Sequence, residues 1–194
     1  VLDPRPDSET LIETIINLVK EKKLDKFNIL DIGTGSGCLL TTLLKEFPTA
    51  CGVGVDISEK ALQVARENAQ KHHVKEQTNL QLADFYKQDF SQKFNQKFEV
   101  IICNPPYIDE AEKLPPATLF DPSLALFAGN NGLAAYQAIA KHLSNLLTSN
   151  GVAIFEIGQG QEDAVTQIMQ AEGFVALSRV KDMSGVIRGL TFTL

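Results

Sequence analysis

Short apolar runs alternate with amphipathic, helix-like segments along this chain, and this alternation constrains its fold more than any other feature. Apolar runs of strand length end near residues 32, 56, 83, 103 and 157, and apolar residues at helical spacing lie between them. Strands that alternate with helices form a parallel sheet with helices on both faces. Two further strand-like runs, at 174–180 and 189–194, have a short connection that suits an antiparallel strand. We therefore predict an α/β fold with a mostly parallel seven-stranded sheet, one antiparallel edge strand and helices on both faces.

Length and composition bound the class of protein. A chain of 194 residues with 44% hydrophobic residues suits one globular domain. No stretch is long and apolar enough to cross a bilayer, and the first residues do not resemble a signal peptide, so no membrane partner is predicted. Cys38, Cys51 and Cys103 share no metal-ligand spacing, which favours buried thiols in a reducing cytoplasm and no metal site. The net charge of −6 argues against a groove that follows nucleic-acid phosphates.

A glycine-rich turn follows the first apolar run. Gly33, Gly35 and Gly37 lie between that strand and a helix-like segment. Glycines at a strand-to-helix turn let the backbone approach a ligand closely, and the start of the helix offers free N–H groups. The third glycine comes one residue earlier than in the G-x-G-x-x-G pattern of dinucleotide-binding proteins. The turn therefore predicts a nucleotide-like ligand and disfavours a nicotinamide cofactor.

Polar or aromatic residues follow the other predicted strands. Asp56 closes the second strand, where a carboxylate can accept both hydroxyls of a ribose. Asp84 and Phe85 follow the third strand, and Asn104 follows the fourth. Ligands of open α/β sheets bind at the carboxyl ends of the strands. We therefore expect these residues and the glycine turn to converge on one site.

The tetrapeptide Asn104-Pro105-Pro106-Tyr107 predicts a pocket for a flat NH2 group. Proline lacks an N–H, so this loop offers hydrogen-bond acceptors rather than donors. The Asn104 side-chain oxygen and the Pro105 carbonyl can accept the two hydrogens of one amide or aromatic amine. The Tyr107 ring can stack on the planar group that carries this nitrogen.

The glycine spacing with Asp56 resembles S-adenosylmethionine-dependent methyltransferases of the Rossmann-like class. The chain as a whole resembles the release-factor glutamine methyltransferases, which modify a glutamine amide in the Gly-Gly-Gln loop of peptide chain release factors. The motifs that carry this resemblance are Pro4-Arg5-Pro6-Asp7-Ser8-Glu9, Asp31-Ile32-Gly33-Thr34-Gly35-Ser36-Gly37, Asn104-Pro105-Pro106-Tyr107-Ile108, Asp121-Pro122, Ala125-Leu126 and Gly132-Leu133. The chain departs from the family pattern at Ser8, Phe85, Ala128 and Asn131.

The resemblance implies a cytoplasmic enzyme that uses S-adenosyl-L-methionine to methylate release factors. It implies a catalytic loop formed by Asn104, Pro105, Pro106 and Tyr107. It implies cofactor contacts from Gly33, Thr34, Gly35, Ser36, Gly37, Asp56, Ile57, Asp84, Phe85 and Asn104. Residues 1–194 are then the catalytic domain, without the small helical domain that precedes it in the family.

Two other functions are open from the residues alone. The tetrapeptide also suits a methyltransferase that acts on exocyclic amines of DNA or RNA, although the acidic composition disfavours nucleic acid. A binding module that senses S-adenosylmethionine without catalysis would need the glycine turn and Asp56 only. The tetrapeptide Asn104-Pro105-Pro106-Tyr107, which we call the acceptor loop, favours an enzyme over such a module.

Overall fold

The fold is a seven-stranded sheet with helices on both faces, as given by a computed structural model that describes residues 1, 8–109, 111 and 122–194. The strands are β1 (Asn28–Ile32), β2 (Cys51–Asp56), β3 (Thr78–Leu82), β4 (Phe98–Cys103), β5 (Leu147–Glu156), β6 (Val175–Lys181) and β7 (Ile187–Thr193). The helices are α1 (Glu9–Lys22), α2 (Cys38–Glu46), α3 (Glu59–Lys71), α4 (Ser123–Leu126), α5 (Gly129–Gly132), α6 (Ala134–Leu146) and α7 (Glu162–Ala171).

The strand order is β3-β2-β1-β4-β5-β7-β6. Strands β1 to β5 pair in parallel, and β7 pairs antiparallel with both β5 and β6. The predicted fold class is therefore confirmed. The antiparallel strand lies one position inside the edge of the sheet, because β6 covers its outer side.

Successive residues of the central strands face opposite layers of the core. In β4, Val100 and Ile102 pack in the cluster that contains α1 and α2, whereas Ile101 and Cys103 pack in the cluster that contains α6 and α7. This alternation is the two-residue period of a strand. Both faces of β4 are apolar because helices cover both faces of the sheet.

The first helix presents an apolar stripe to the core. Leu11, Ile15 and Val19 of α1 are buried. Ser8 occupies the position before this helix, but its side chain makes no cap. Its hydroxyl instead donates to a buried carboxylate on β5. Among the residues that the structure describes, no helix is long and apolar enough to cross a membrane.

The segment after the tetrapeptide contains short helices in its described part. Ile108 donates its N–H to Leu126 and accepts the N–H of Ala128, which ties the segment to the end of α4. Asn130 and Asn131 of α5 have left-handed backbone conformations. The motif residues Pro4-Arg5-Pro6-Asp7 and Asp121 lie outside the described residues.

Candidate active site

The carboxyl ends of four parallel strands bring the predicted site residues to one edge of the sheet. Ile32, the last residue of β1, pairs with Val55 on one side and with Cys103 on the other. Asp56, at the end of β2, pairs with Leu82 at the end of β3. The glycine turn, Asp56, Asp84 and Asn104 therefore follow directly from adjacent strands, as the sequence predicts.

Backbone conformation shapes the glycine turn. Gly33, Gly35 and Gly37 have φ values of 74°, 56° and 73°, which glycine adopts more readily than other residues. The N–H groups of Gly33 and Thr34 both donate to the Val55 carbonyl, at 2.8 and 2.9 Å. These bonds fix the turn against the end of β2.

The Asp56 carboxylate connects β2 to the glycine turn. One carboxylate oxygen accepts the Gly35 N–H at 2.9 Å, and the other accepts the Ser58 N–H at 2.8 Å. Ser58 in turn caps α3 by accepting the Ala61 N–H. A carboxylate has about four acceptor positions, so two backbone bonds leave Asp56 able to accept further hydrogens.

Asp31 and Thr34 form a buried pair beneath the turn. The Thr34 hydroxyl donates to the Asp31 carboxyl at 2.6 Å. Burial raises the pKa of Asp31 from its ordinary 3.8 to about 7; the Thr34 hydrogen bond opposes this shift, and the negative charge of Asp56 adds to it. The Thr34 side chain therefore supports the turn from the core side.

The remaining predicted cofactor residues lie around this turn. The backbone carbonyl of Ser36 accepts a hydrogen bond from the Asn68 side chain at 2.9 Å. Ile57 is 56% exposed beside Asp56. Asp84 accepts the N–H of Tyr86, whose ring lies 4.6 Å from that of Phe85.

A cavity of about 790 Å³ borders this part of the site. Its walls come from the segment after β3 and from α6, and they include Phe85, Tyr86, Gln137 and Lys141. Phe85 is the only predicted cofactor residue among the lining residues. The glycine turn therefore does not line this cavity.

The acceptor tetrapeptide begins at the end of β4. The Asn104 side-chain nitrogen donates to the Ser8 hydroxyl at 3.4 Å. Pro105 is buried, Pro106 is partly buried, and both prolyl peptide bonds are trans. The Tyr107 ring packs against the core, and its hydroxyl donates to Glu156 at 3.3 Å.

Glu156 belongs to this site although it is not among the predicted site residues. It is buried at the end of β5, where one carboxylate oxygen accepts the Ser8 hydroxyl at 2.6 Å and the other accepts the Tyr107 hydroxyl. The signal in the sequence is a single carboxylate inside the apolar run 152–157. Such a residue needs partners, because an isolated buried charge is strongly unfavourable.

Within the described residues, no cluster of three or more His, Cys, Asp or Glu side chains is arranged to hold a metal ion.

A sheet of this order, with a glycine turn after β1 and an acid after β2, defines a Rossmann-like α/β domain. The chain belongs to the methyltransferase domain family, because the model of that family matches residues 23–183. A solved structure of ribosomal protein L11 methylase from Lactobacillus delbrueckii subsp. bulgaricus has the same fold. It superposes with a TM-score of 0.67 at 18% identity, over 99% of this chain and 80% of that one.

Curated relatives agree with the resemblance that the motifs carry. A release factor glutamine methyltransferase from Agrobacterium fabrum is 38% identical over 98% of this chain and 66% of its own length. A bifunctional methyltransferase from Rickettsia felis is 36% identical over 100% of this chain and 41% of its own length. The predicted family resemblance is therefore confirmed, and the chain spans 41% to 66% of the length of these two relatives.

Proposed function

We propose that this chain transfers a methyl group from S-adenosyl-L-methionine to the side-chain amide nitrogen of the glutamine in the Gly-Gly-Gln loop of a peptide chain release factor. The relatives that carry this name support the proposal, since they match nearly the whole chain. The observation that carries it is the Asn104 side chain. Its nitrogen donates to the Ser8 hydroxyl, so its oxygen can accept from a substrate, and Asn104 follows β4, whose end pairs with the end of β1.

The residues around the glycine turn fit a nucleoside cofactor. Apart from the neighbouring residues in the chain, no atom of the described residues lies within 4 Å of the position that a Cβ would take on Gly33, so there is room for a ligand at this point of the turn. Asp56 has acceptor capacity for two ribose hydroxyls, and the exposed Ile57 beside it offers an apolar surface for a base. S-adenosyl-L-methionine, when bound, supplies an electrophilic methyl group.

The tetrapeptide would orient the glutamine amide. The Asn104 oxygen and the Pro105 carbonyl accept its two N–H groups, and the Tyr107 ring packs on the amide plane. An amide nitrogen is a poor nucleophile, because its lone pair is delocalised into the carbonyl. Holding two reactants in the reactive geometry can lower a barrier by about 7–11 kcal/mol, which makes orientation the main contribution of this loop.

Proton removal would follow methyl transfer in this scheme. The tetrapeptide contains no carboxylate. The buried carboxylate that contacts this loop, on Glu156, accepts the hydroxyls of Ser8 and Tyr107. The site therefore supports attack by the neutral amide, with the proton lost from the methylated nitrogen.

Incubation with methyl-labelled S-adenosylmethionine and release factor, DNA or RNA in separate reactions tests this function. We expect the label to enter the release factor alone. Label in nucleic acid would contradict the proposal in favour of an exocyclic-amine methyltransferase. Cofactor binding without transfer to any acceptor would contradict it in favour of a binding module.

A further inference from the structure

Gln161, just before α7, connects the end of β5 to the acceptor loop. Its side-chain oxygen accepts the N–H of Gly158 at 3.0 Å. Its side-chain nitrogen donates to the backbone carbonyl of Tyr107 at 3.0 Å. One side chain therefore joins two backbone segments that are far apart in the sequence.

The surroundings of this connection are closely packed. A Cβ on Gly132 would overlap the Tyr107 carbonyl and come within 2.8 Å of the Gln161 side-chain nitrogen. A Cβ on Gly158 would lie 2.9 Å from the Gln161 oxygen and 3.1 Å from the Tyr107 ring. The glycines on both sides thus allow Gln161 and Tyr107 to approach each other.

The acceptor loop depends on such contacts because of its prolines. Pro105 and Pro106 have no N–H, so neither can be held through a backbone donor. The Tyr107 carbonyl and the Ile108 N–H both take part in hydrogen bonds, with the Gln161 side chain and with the Leu126 carbonyl. A shift of the Tyr107 peptide would therefore move the Pro105 carbonyl and the Asn104 side chain.

The far end of Tyr107 is also held from β5. Its hydroxyl donates to Glu156, which also accepts the Ser8 hydroxyl. The segment 156–161 therefore contacts Tyr107 at both its backbone and its phenol. Gln161 supplies the backbone contact.

We infer that Gln161 is a positioning residue for methyl transfer, which holds the Tyr107 carbonyl and so sets the direction of the acceptors on Asn104 and Pro105. The inference rests on the proposed function, since it assigns Gln161 a role in the same acceptor site. Its effect is on the orientation of the acceptor amide, so it should alter turnover and leave cofactor affinity unchanged.

Two variants and a matched control test this role. Gln161→Ala removes both bonds, and Gln161→Glu keeps the acceptor but places a carboxylate against the Tyr107 carbonyl. Gln77→Ala is the control, because the Gln77 side chain also bridges backbone carbonyls, at the opposite ends of the strands. Each protein is assayed for kcat and KM on release factor and for cofactor affinity by calorimetry.

We expect Gln161→Ala to lower kcat by about 10- to 100-fold, as for a displacement of about 1 Å in a reactive complex. Its cofactor affinity should equal that of the wild type. In Gln161→Glu, a protonated carboxyl can again donate to Tyr107, so its kcat relative to wild type should rise as the pH falls from about 8 to about 5. Gln77→Ala should lower thermal stability without lowering kcat.

Hydrogen exchange tests this inference separately from the proposed function, because the measurement needs no methyl-accepting substrate. The Tyr107 and Ile108 amides should exchange about tenfold faster in Gln161→Ala than in wild type or Gln77→Ala. If exchange is faster in Gln161→Ala but the wild type does not methylate release factor, the proposed substrate is contradicted. The hydrogen bond between Gln161 and Tyr107 is then still supported. Unchanged exchange, or a wild-type kcat in Gln161→Ala, would overturn the positioning role.

Discussion

The cofactor side and the acceptor side of the candidate site are held together in different ways. On the cofactor side, the hydrogen-bonded residues are closer in sequence: Asp56 and Gly35 are 21 positions apart, and Thr34 and Asp31 only 3. On the acceptor side, side chains bridge long separations, 96 positions for Asn104 and Ser8 and 49 for Tyr107 and Glu156. The difference implies that single side-chain changes can disable the acceptor loop and leave cofactor binding intact.

The largest effect that would reveal this separation is expected from Asn104→Ala. Loss of an acceptor that orients the attacking nitrogen should lower kcat by about 10²–10³-fold, as when a polar group that acts in a transition state is removed. Cofactor affinity, measured by calorimetric titration, should change little. Asn79→Ala, at an exposed position of β3, is the control. Near-normal turnover in Asn104→Ala would remove this residue from the chemistry.

Gly132→Ala should displace the acceptor loop through a steric overlap with the Tyr107 backbone. Gly132 has a φ of +78°, and an added Cβ would overlap the Tyr107 carbonyl. We expect kcat to fall by about 10-fold or more and the free energy of unfolding to fall by about 1–3 kcal/mol. The matched control is Gly129→Ala, because a Cβ at that glycine would have no non-neighbouring atom within 4 Å in the part of the chain that the structure describes. Equal kcat values for the two variants would show that the packing behind Tyr107 does not matter for transfer.

Asp56→Ala should show the opposite pattern, with weaker cofactor binding and little change in kcat at saturating cofactor. It removes the predicted ribose acceptor and the bonds to Gly35 and Ser58, so cofactor affinity should weaken by about 1.5–3 kcal/mol. Calorimetric titration measures this change directly. Saturating cofactor should restore most of kcat, because the acceptor loop is unaltered. An unchanged dissociation constant would place the cofactor elsewhere.

The buried Asp31 predicts a dependence of stability on pH. Its pKa is about 7 in the folded chain and near 3.8 when unfolded, so its contribution to stability is fully present below about pH 4 and is lost as the pH rises through about 7. Each pKa unit corresponds to about 1.4 kcal/mol, which gives a loss of roughly 2 kcal/mol between about pH 5 and about pH 7. Urea unfolding should show this loss in wild type and not in Asp31→Asn. Parallel pH curves for the two proteins would contradict the buried, protonated carboxyl.

The contrast between local and long-range contacts also explains how much of the fold could be predicted from the sequence. The order of strands and helices depends on local apolar periodicity, and the structure confirms it. The position of β7 between β5 and β6 could not be predicted from the sequence. On local pattern alone, either of the last two strands could pair with β5. That choice depends on how the two strands pack against the rest of the sheet.

In the candidate site too, the local patterns could be predicted from the sequence and the long-range contacts could not. The glycine turn and Asp56 form a recognisable local pattern, and the structure brings them together. Ser8 precedes α1, but its hydroxyl donates to Glu156, 148 residues away. Gln161 lies in a polar, glycine-containing connection with no periodic signal, so only the tertiary structure reveals its contact with Tyr107.

The most direct test of the proposed activity is tandem mass spectrometry of a release factor incubated with this chain and a deuterated-methyl donor. We predict one labelled methyl group on the side-chain nitrogen of the Gly-Gly-Gln glutamine, and none on a release factor in which that glutamine is replaced by asparagine. A labelled methyl at any other position, with the glutamine unmodified, would contradict the account.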